Sequence, residues 1–205
     1  MQLPFKRPYA LLPTLCALAT CSTGVAPPPA ATAPAAATCL PGERGYFRAS
    51  LRGALDAELD WRGAGLQCEG GARPEGRGLR VSFLGPAAAS GRQLRFVFGI
   101  AAAPGVGMSR TAPTNVTVIV EGQRQLYATQ GDDKCAVEAL SQEPVAAATR
   151  PYPGEARLYR VAARGYCIDP AATLDGSARL YINRFDFAGL ARFEENELNA
   201  PAVHD

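Results

Sequence analysis

The sequence predicts an all-β protein, a disulfide-stapled antiparallel β-sandwich of roughly eight to ten strands, with a β-barrel as the alternative. Apolar residues recur at every second position in several segments, and glycine and proline separate those segments. No convincing 3.6-residue helical period occurs between residues 39 and 187. No internal repeat is found either, which argues against a propeller or a solenoid.

The alternation is longest between Phe47 and Trp61. Apolar side chains hold the odd positions and mostly charged side chains the even ones, which predicts a strand with one face on the core. A two-residue hairpin at Gly53 would invert this parity, and the parity is kept. We therefore predict one long strand, bent or bulged at Gly53, with Trp61 in the core.

The same period predicts several further strands. A hairpin turn is expected at residues 121–124, where Gly122 follows an alternating apolar run. The predicted strands are residues 79–83, 94–100, 116–120, 126–128, 135–140, 158–163 and 178–187. Residues 190–198 fit a short helix and an extended tail equally well.

The first twenty residues have the pattern of a signal peptide. Lys6 and Arg7 precede an apolar run at residues 10–19. That run is shorter than the roughly 20 residues that a membrane-spanning helix needs. The pattern predicts export, so disulfide bonds are expected.

The end of this leader, Leu18-Ala19-Thr20-Cys21, resembles the lipobox of bacterial lipoproteins. The resemblance covers the leader and these four residues, and it departs at Thr20, where the family prefers Gly, Ala or Ser. It implies a lipid on Cys21 and attachment to the membrane through that lipid. Ser22 instead of Asp then favours the outer membrane. An ordinary signal-peptidase site at Ala17-Leu18-Ala19 competes, and it implies a secreted or periplasmic soluble protein.

Cysteine parity favours lipidation. Ordinary cleavage leaves five of the six cysteines, whereas lipidation of Cys21 leaves four that can pair fully. Four cysteines allow three connectivities. Of these we predict Cys39–Cys68 and Cys135–Cys167, which join partners near in sequence. Metal ligation by cysteine is not expected, because no C-x-x-C pair occurs.

The domain organisation follows from these observations. Residues 1–20 are the predicted signal peptide, and residues 21–38 are a lipidated cysteine and a disordered Pro/Ala-rich tether that reaches on the order of 50 Å. Residues 39–193 are the predicted β-sandwich, and residues 194–205 are a C-terminal tail.

Charge bears on the class of partner. Removing Lys6 and Arg7 from the 21 basic residues leaves 19 against 19 acidic residues. A nearly neutral chain argues against a nucleic-acid partner, which needs a basic face. All of these 19 bases except Lys134 are arginine, which we attribute to coding bias and not to recognition.

The residues needed for common catalytic chemistry are scarce. The one histidine, His204, is next to the C-terminal residue, so a Ser-His-Asp triad is not expected. Asp56, Glu58 and Asp60 share one strand face at about 7 Å spacing, which overlaps the carboxyl separation of inverting glycosidases. We favour a solvated sheet face there, and therefore a protein that is not an enzyme.

Acidic loops and aromatic residues are the remaining candidates for ligand binding. If Cys135 and Cys167 are bonded, their loops meet, and four aspartates near them would offer oxygen ligands for Ca²⁺. These are Asp132, Asp133, Asp169 and Asp175. The alternative is that they are turn formers, with no cofactor. A glycan-binding face would need several tyrosines on one sheet, and Asp186, between Phe185 and Phe187, is expected to pair with an arginine.

These observations predict an exported envelope lipoprotein with a non-catalytic binding or structural β domain. Its partners would be the membrane, through the lipid, and an envelope protein or glycan. Two alternatives stay open. One is a periplasmic inhibitor of a hydrolase, similar only in class to small disulfide-bonded lysozyme inhibitors. The other is a carboxylate-dependent glycan hydrolase.

Overall fold

The computed structural model describes residues 39–40, 44–74, 78–87, 91–105, 107–109, 111–145 and 156–199. The predicted signal peptide, the tether with Cys21, and His204 lie outside these residues. Nowhere in the described ranges is a helix long and apolar enough to cross a membrane.

The described residues form twelve strands, which pair antiparallel throughout, and one short helix. The all-β prediction is confirmed. There are more strands than expected because the segment predicted as one first strand forms two, and because three strands, Gln67–Ala72, Met108–Ser109 and Ala171–Ala172, were not predicted. The strands are β1 Tyr46–Gly53, β2 Ala57–Arg62, β3 Gln67–Ala72, β4 Leu79–Pro86, β5 Gln93–Ile100, β6 Met108–Ser109, β7 Ala112–Val120, β8 Gln125–Ala128, β9 Cys135–Pro144, β10 Arg157–Cys167, β11 Ala171–Ala172 and β12 Arg179–Phe193, and the helix is α1 Glu195–Leu198.

Strand β12 lies in the middle of one group of strands. It pairs with β1 along one edge and with β10 and β11 along the other. With β2 beside β1 and β9 beside β10, five neighbours run in the order β2-β1-β12-β10-β9. A second run has the order β3-β4-β5-β7-β8, and pairings of β7 with β9 and of β8 with β11 join the two runs.

The inward-facing residues of both runs meet in an aromatic core. Phe47 is fully buried, and its ring centroid lies 4.6 Å from that of Phe96 and 4.9 Å from that of Trp61. Trp61 is 5% exposed, which confirms its predicted core position. The Trp61 indole N–H donates a hydrogen bond of 2.8 Å to the carbonyl oxygen of Pro86, so the buried ring keeps a partner for its polar atom.

The prediction of one long strand from Phe47 to Trp61 was wrong. The structure has a hairpin in which Leu51 pairs with Ala57 and five residues lie between them. A loop with an odd number of residues leaves the apolar side chains at odd positions in both strands. The alternation therefore excluded only hairpins whose loop has an even number of residues. Gly53 has a φ of +99° and its N–H donates to the Asp56 carboxylate at 3.0 Å, which allows the chain to turn there.

Both predicted disulfides are present. Cys39 and Cys68 are bonded, and both are buried. Cys135 and Cys167 are bonded across paired positions of β9 and β10. The first bond fixes the first described residue to β3, and the second joins the ends of two neighbouring strands.

The last strand continues beyond the predicted boundary at residue 187 and ends at Phe193. A one-turn helix follows, and the Glu194 and Glu197 side chains cap its first turn reciprocally. The predicted 190–198 segment is therefore divided between strand, at residues 190–193, and helix, at residues 195–198.

Candidate binding surface

Alternation along β10 determines which of its residues face outward. Tyr159, Val161, Ala163 and Gly165 are buried, whereas the residues between them are half-buried or exposed. The outward residues are therefore Leu158, Arg160, Ala162, Arg164 and Tyr166. Successive members of this row lie about 7 Å apart along the strand.

The register with β12 places further arginines beside this row. Arg192 pairs with Leu158 at one end. At the other end Gly165 pairs with Phe185, so the exposed Arg184 lies close to Tyr166. We use the name arginine ladder for the four residues Arg160, Arg164, Arg184 and Arg192. The ladder spans the outer face of two neighbouring strands.

The arginines of β1 and β2, on the same outer face, have acidic partners. Arg52 lies 2.7 Å from Glu58, and Arg62 lies 3.0 Å from Asp60. Arg48 is 3.4 Å from Asp60. These side chains are all about half exposed, so each pair adds little stability, but their opposite charges largely offset each other.

The arginine ladder differs in this respect. No acidic side chain in the described part of the chain lies within 4 Å of its four members, although Glu143 on β9 is paired with Arg160 and the charge of Arg184 acts on Glu58. Asp186 pairs with Arg164 in the register, yet its carboxylate accepts a hydrogen bond of 2.8 Å from the Tyr46 hydroxyl and lies 3.8 Å from Arg48. The predicted arginine partner of Asp186 is thus Arg48, at 3.8 Å, and Arg164 lies opposite Asp186 without an ion pair of that length.

Tyr46 lies beside two of the arginines that have acidic partners. The guanidinium of Arg48 lies 5.1 Å from the centre of its ring, and that of Arg62 lies 5.9 Å away. Burial, and then the hydrogen bond to Asp186, raises the pKa of Tyr46, while the charges of Arg160 and Arg48 act in the opposite direction. The hydroxyl therefore stays protonated and keeps Asp186 directed toward β1.

Three tyrosines lie on this outer face. Tyr166 is 40% exposed and Tyr181, paired with Arg52, is 45% exposed, whereas the half-buried Tyr46 lies at the other end of β1 and pairs with Ala188. Tyr127 and Tyr159 are buried in the core, and Tyr152 lies outside the described residues. The exposed tyrosines therefore lie at one end of this sheet face and Tyr46 at the other, and a glycan-binding face stays a prediction.

The three carboxylates considered for glycan hydrolysis all have partners nearby. Asp56 accepts a hydrogen bond in the turn after β1, and Asp60 contacts two arginines. Glu58 accepts hydrogen bonds from Ser50 and Arg52, and these lower its pKa, with Ser50 contributing most. A general acid needs a raised pKa, so the shift at Glu58 is opposite to that requirement.

The four aspartates of the calcium prediction also have partners within the protein. Asp132 binds Arg73 at 3.0 Å and accepts a hydrogen bond from Asn115. The ammonium of Lys134 lies 3.3 Å from Asp133 and 3.4 Å from Asp169. Among the described residues, no three acidic, cysteine or histidine side chains are grouped so that they could hold a metal ion. The calcium site stays a prediction, for which a calcium titration of the melting temperature is the test.

Asp175, the fourth of these residues, stabilises the turn between β11 and β12. Its carboxylate accepts hydrogen bonds from the Thr173 hydroxyl at 2.6 Å and from the Ser177 hydroxyl and N–H at 2.9 and 3.1 Å. These bonds, with that of Thr173 the largest cause, lower its pKa to about 2. The charged form is favoured in the folded protein.

The lowered pKa of Asp175 predicts an acid-dependent contribution to stability. The contribution is present above the ordinary carboxyl pKa of 3.8 and is lost as the pH falls toward about 2. We expect Asp175→Asn to lose stability near neutral pH and to show a smaller further loss on acidification than the wild type. Urea unfolding between neutral pH and pH 2 measures this. Thr173→Val should reproduce part of the change, and an unchanged pH profile in both variants would contradict the assignment.

A shallow cavity lies on the outer face of β3, β4 and β5. Its volume is about 140 Å³, and Arg95 and Glu69 line it together with the disulfide-bonded Cys68. Arg95 contacts Glu121 at 2.6 Å and Glu69 at 3.8 Å, so its charge is already offset. Ligand pockets usually measure roughly 300–1,000 Å³, and this cavity is smaller. The arginine ladder is the better candidate surface.

No protein-family model matches the chain, and no match was found among curated proteins or solved structures. The leader, the tether and the geometry of the outer face are therefore the features of this chain that bear on its function.

Proposed function

We propose that the chain is an exported lipoprotein, attached to the outer membrane through a lipid on Cys21. A Pro/Ala-rich tether of residues 22–38 holds the β domain away from the membrane. The domain acts as a non-catalytic binding module, and its binding surface is the outer face of β10 and β12. The leader and its resemblance to the lipobox support the attachment.

The contrast between close and more distant acidic neighbours on one sheet face is the observation that supports the binding role. Arginines of β1 and β2 have acidic partners within 4 Å, whereas the arginine ladder has none that close among the described residues, although Glu143 is paired with Arg160 and Asp186 with Arg164. Guanidinium groups without a carboxylate at ion-pair distance keep donors that a ligand can bind. An anionic partner would bind these donors.

The location proposed for the domain narrows the class of partner. A domain on an envelope tether faces polysaccharides and membrane-associated polymers, many of which are anionic. An envelope polymer is therefore the favoured partner, and a nucleic acid is not expected in that compartment. Inhibition of a hydrolase such as lysozyme is the alternative, and no loop or cleft of the described residues specifically favours it.

Sedimentation with isolated cell-envelope polymers tests the proposal. The full chain, purified in non-ionic detergent, is mixed with polymers from the envelope of its own source cells. We expect it to sediment with the polymer at low salt and to be released at high salt, because salt screens exposed charges beyond about 10 Å at 0.1 M. Failure to sediment, or a shortening of the polymer during incubation, would contradict a non-catalytic binding module.

A further inference from the structure

We propose that strand β2 pairs with β2 of a second copy of this chain, antiparallel about a two-fold axis at Asp60. The contact joins two sheets edge to edge and makes the protein a reversible dimer. It goes beyond the proposed binding function and does not depend on it, because β1 and β12 separate β2 from β10.

Strand β2 lies at an edge of the sheet. It pairs with β1 along one side, and no second strand pairs with it in the part of the chain that the structure describes. Among the described residues, the backbone hydrogen bonds outside the strands do not involve residues 57–62 either. An unpaired strand edge presents a row of N–H and C=O groups that the strand of another molecule can bind.

Most of the features that keep an edge strand from pairing are absent from β2. Its register with β1 is continuous over residues 57–62, so no bulge turns this edge away. It contains neither proline nor lysine, and its inward residues, Leu59 and Trp61, are apolar and buried. Its outward residues are charged, but with both signs, because Glu58, Asp60 and Arg62 alternate with them. A strand that carries both signs can be complementary to a second copy of itself.

The charges favour one register. Residues that face each other in an antiparallel pair lie on the same side of the sheet, so the two-fold axis passes at a residue that faces its own copy. An axis at Leu59 would place Glu58 opposite Asp60, two like charges. An axis at Asp60 places Glu58 opposite Arg62 twice and pairs residues 58–62 of both strands. An axis at Trp61 would also pair opposite charges, but only over residues 60–62, because the strand ends there.

Glu58 and Arg62 have atoms available for this contact. The hydrogen bonds that Glu58 accepts from Ser50 and Arg52 both end at its Oε1, so its Oε2 can accept another. Arg62 binds Asp60 through its Nε, so its two Nη groups can donate. The two side chains are 63% and 50% exposed. A carboxylate and a guanidinium that face each other across neighbouring strands attract, and the two-fold axis makes two such pairs.

Asp60 is the like-charged position of this register. Its carboxylate oxygens lie 3.0 Å from the Nε of Arg62 and 3.4 Å from the Nε of Arg48. Each carboxylate at the axis therefore has two guanidinium partners in its own chain, which offset its charge. On the inner side of the sheet, Leu59 lies opposite Trp61 of the second copy, so apolar residues face each other there.

Disulfide trapping tests the register in the full chain, in non-ionic detergent under mild oxidation. Facing residues of an antiparallel pair have Cα atoms about 4.5–5.5 Å apart, which a disulfide can bridge. We expect D60C to form a disulfide-linked dimer. The matched control is E58C, on the same side of the strand. Its Cα would lie about 13 Å from that of residue 58 in the second copy, too far for a disulfide, so E58C should stay monomeric.

Exchange of the two charges tests the contact itself. On one strand, residues 58 and 62 lie about 13 Å apart, so they do not pair within a chain. A contact between two short strands buries less than the roughly 1,200 Å² of a standard interface, so we expect a dimer that dissociates on dilution. Sedimentation velocity at several protein concentrations measures this. R62E should weaken the dimer at least tenfold, and E58R/R62E should return it to within threefold of the wild type.

R124E is the charge-reversal control, because Arg124 is exposed in the turn between β7 and β8. It should leave the dimer unchanged, and the circular dichroism of every variant should match that of the wild type. A wild-type chain that is monomeric at every concentration would overturn the proposal. So would a D60C variant that is not trapped, equal trapping of E58C, or an E58R/R62E variant that dimerises no better than R62E.

Discussion

Replacing Phe47 with alanine is expected to lower the free energy of unfolding by about 3–5 kcal/mol, the usual cost of truncating a buried phenylalanine. The ring is fully buried and lies within 5.2 Å, centre to centre, of Phe83, Phe96 and Trp61. Small domains are stable by about 5–15 kcal/mol in total, so this one change removes a large share. Stability is lost because the truncation leaves a cavity at the place where the two runs of strands meet.

Urea unfolding, followed by tryptophan fluorescence, measures this change because Trp61 contacts the ring of Phe47. Phe47→Leu should cost less than Phe47→Ala because it leaves a smaller cavity. Met108→Ala is the exposed control, since Met108 is 86% exposed, and it should shift stability by no more than about 0.5 kcal/mol. A Phe47→Ala variant as stable as this control would contradict the core assignment.

Removal of the Cys39–Cys68 disulfide should have a comparable effect. The bond closes a segment with a sequence separation of 29 residues, and the chain-entropy relation gives about 3–4 kcal/mol for such a loop. The bond also holds Cys68 where its sulfur accepts a hydrogen bond of 3.3 Å from the Leu190 N–H. We therefore expect Cys39→Ala/Cys68→Ala to lose both the constraint on the unfolded chain and part of the packing of β3 against β12.

The second disulfide serves as the matched comparison. Cys135 and Cys167 have a sequence separation of 32 residues, so loop entropy alone predicts nearly the same loss. Those two cysteines lie on strands that already pair along their length. We expect Cys39→Ala/Cys68→Ala to be the less stable of the two double variants in urea. The reverse order would show that the first disulfide does not hold β3 in place.

Sequence periodicity predicted the strands whose two faces differ in polarity. Residues 94–100 and 116–120 alternate cleanly, and they lie within β5 and β7. Strand β3 was missed because Gly70 and Gly71 interrupt any alternation. Those glycines reflect a long-range constraint, since a Cβ on Gly70 would lie 3.0 Å from the Leu190 carbonyl oxygen and one on Gly71 would lie 3.1 Å from that of Arg192. The hydrophobic period of a short segment carries no information about how closely a strand distant in sequence approaches it.

The arginine ladder could not be predicted for a similar reason. Which carboxylates lie near these arginines depends on the register of β10 with β9 and β12, which places Glu143 opposite Arg160 and Asp186 opposite Arg164, and on the hydrogen bond that directs Asp186 toward Tyr46. From composition alone, we attributed the predominance of arginine over lysine to coding bias. Part of the surface could have been predicted from the sequence, because Arg160, Arg164 and Tyr166 all fall on even, outward positions of one alternating segment. The disulfides were predictable because cysteine parity left few choices.

Intact-mass analysis of the protein purified from its native membrane tests the central claim of a lipid-attached, disulfide-bonded β module. We expect a chain that begins at a triacylated Cys21 and gains, on reduction, the hydrogens of two disulfide bonds. A soluble chain that begins at Thr20, without lipid, would contradict the attachment. It would leave a secreted protein in which Cys21 has no partner among the two pairs of bonded cysteines.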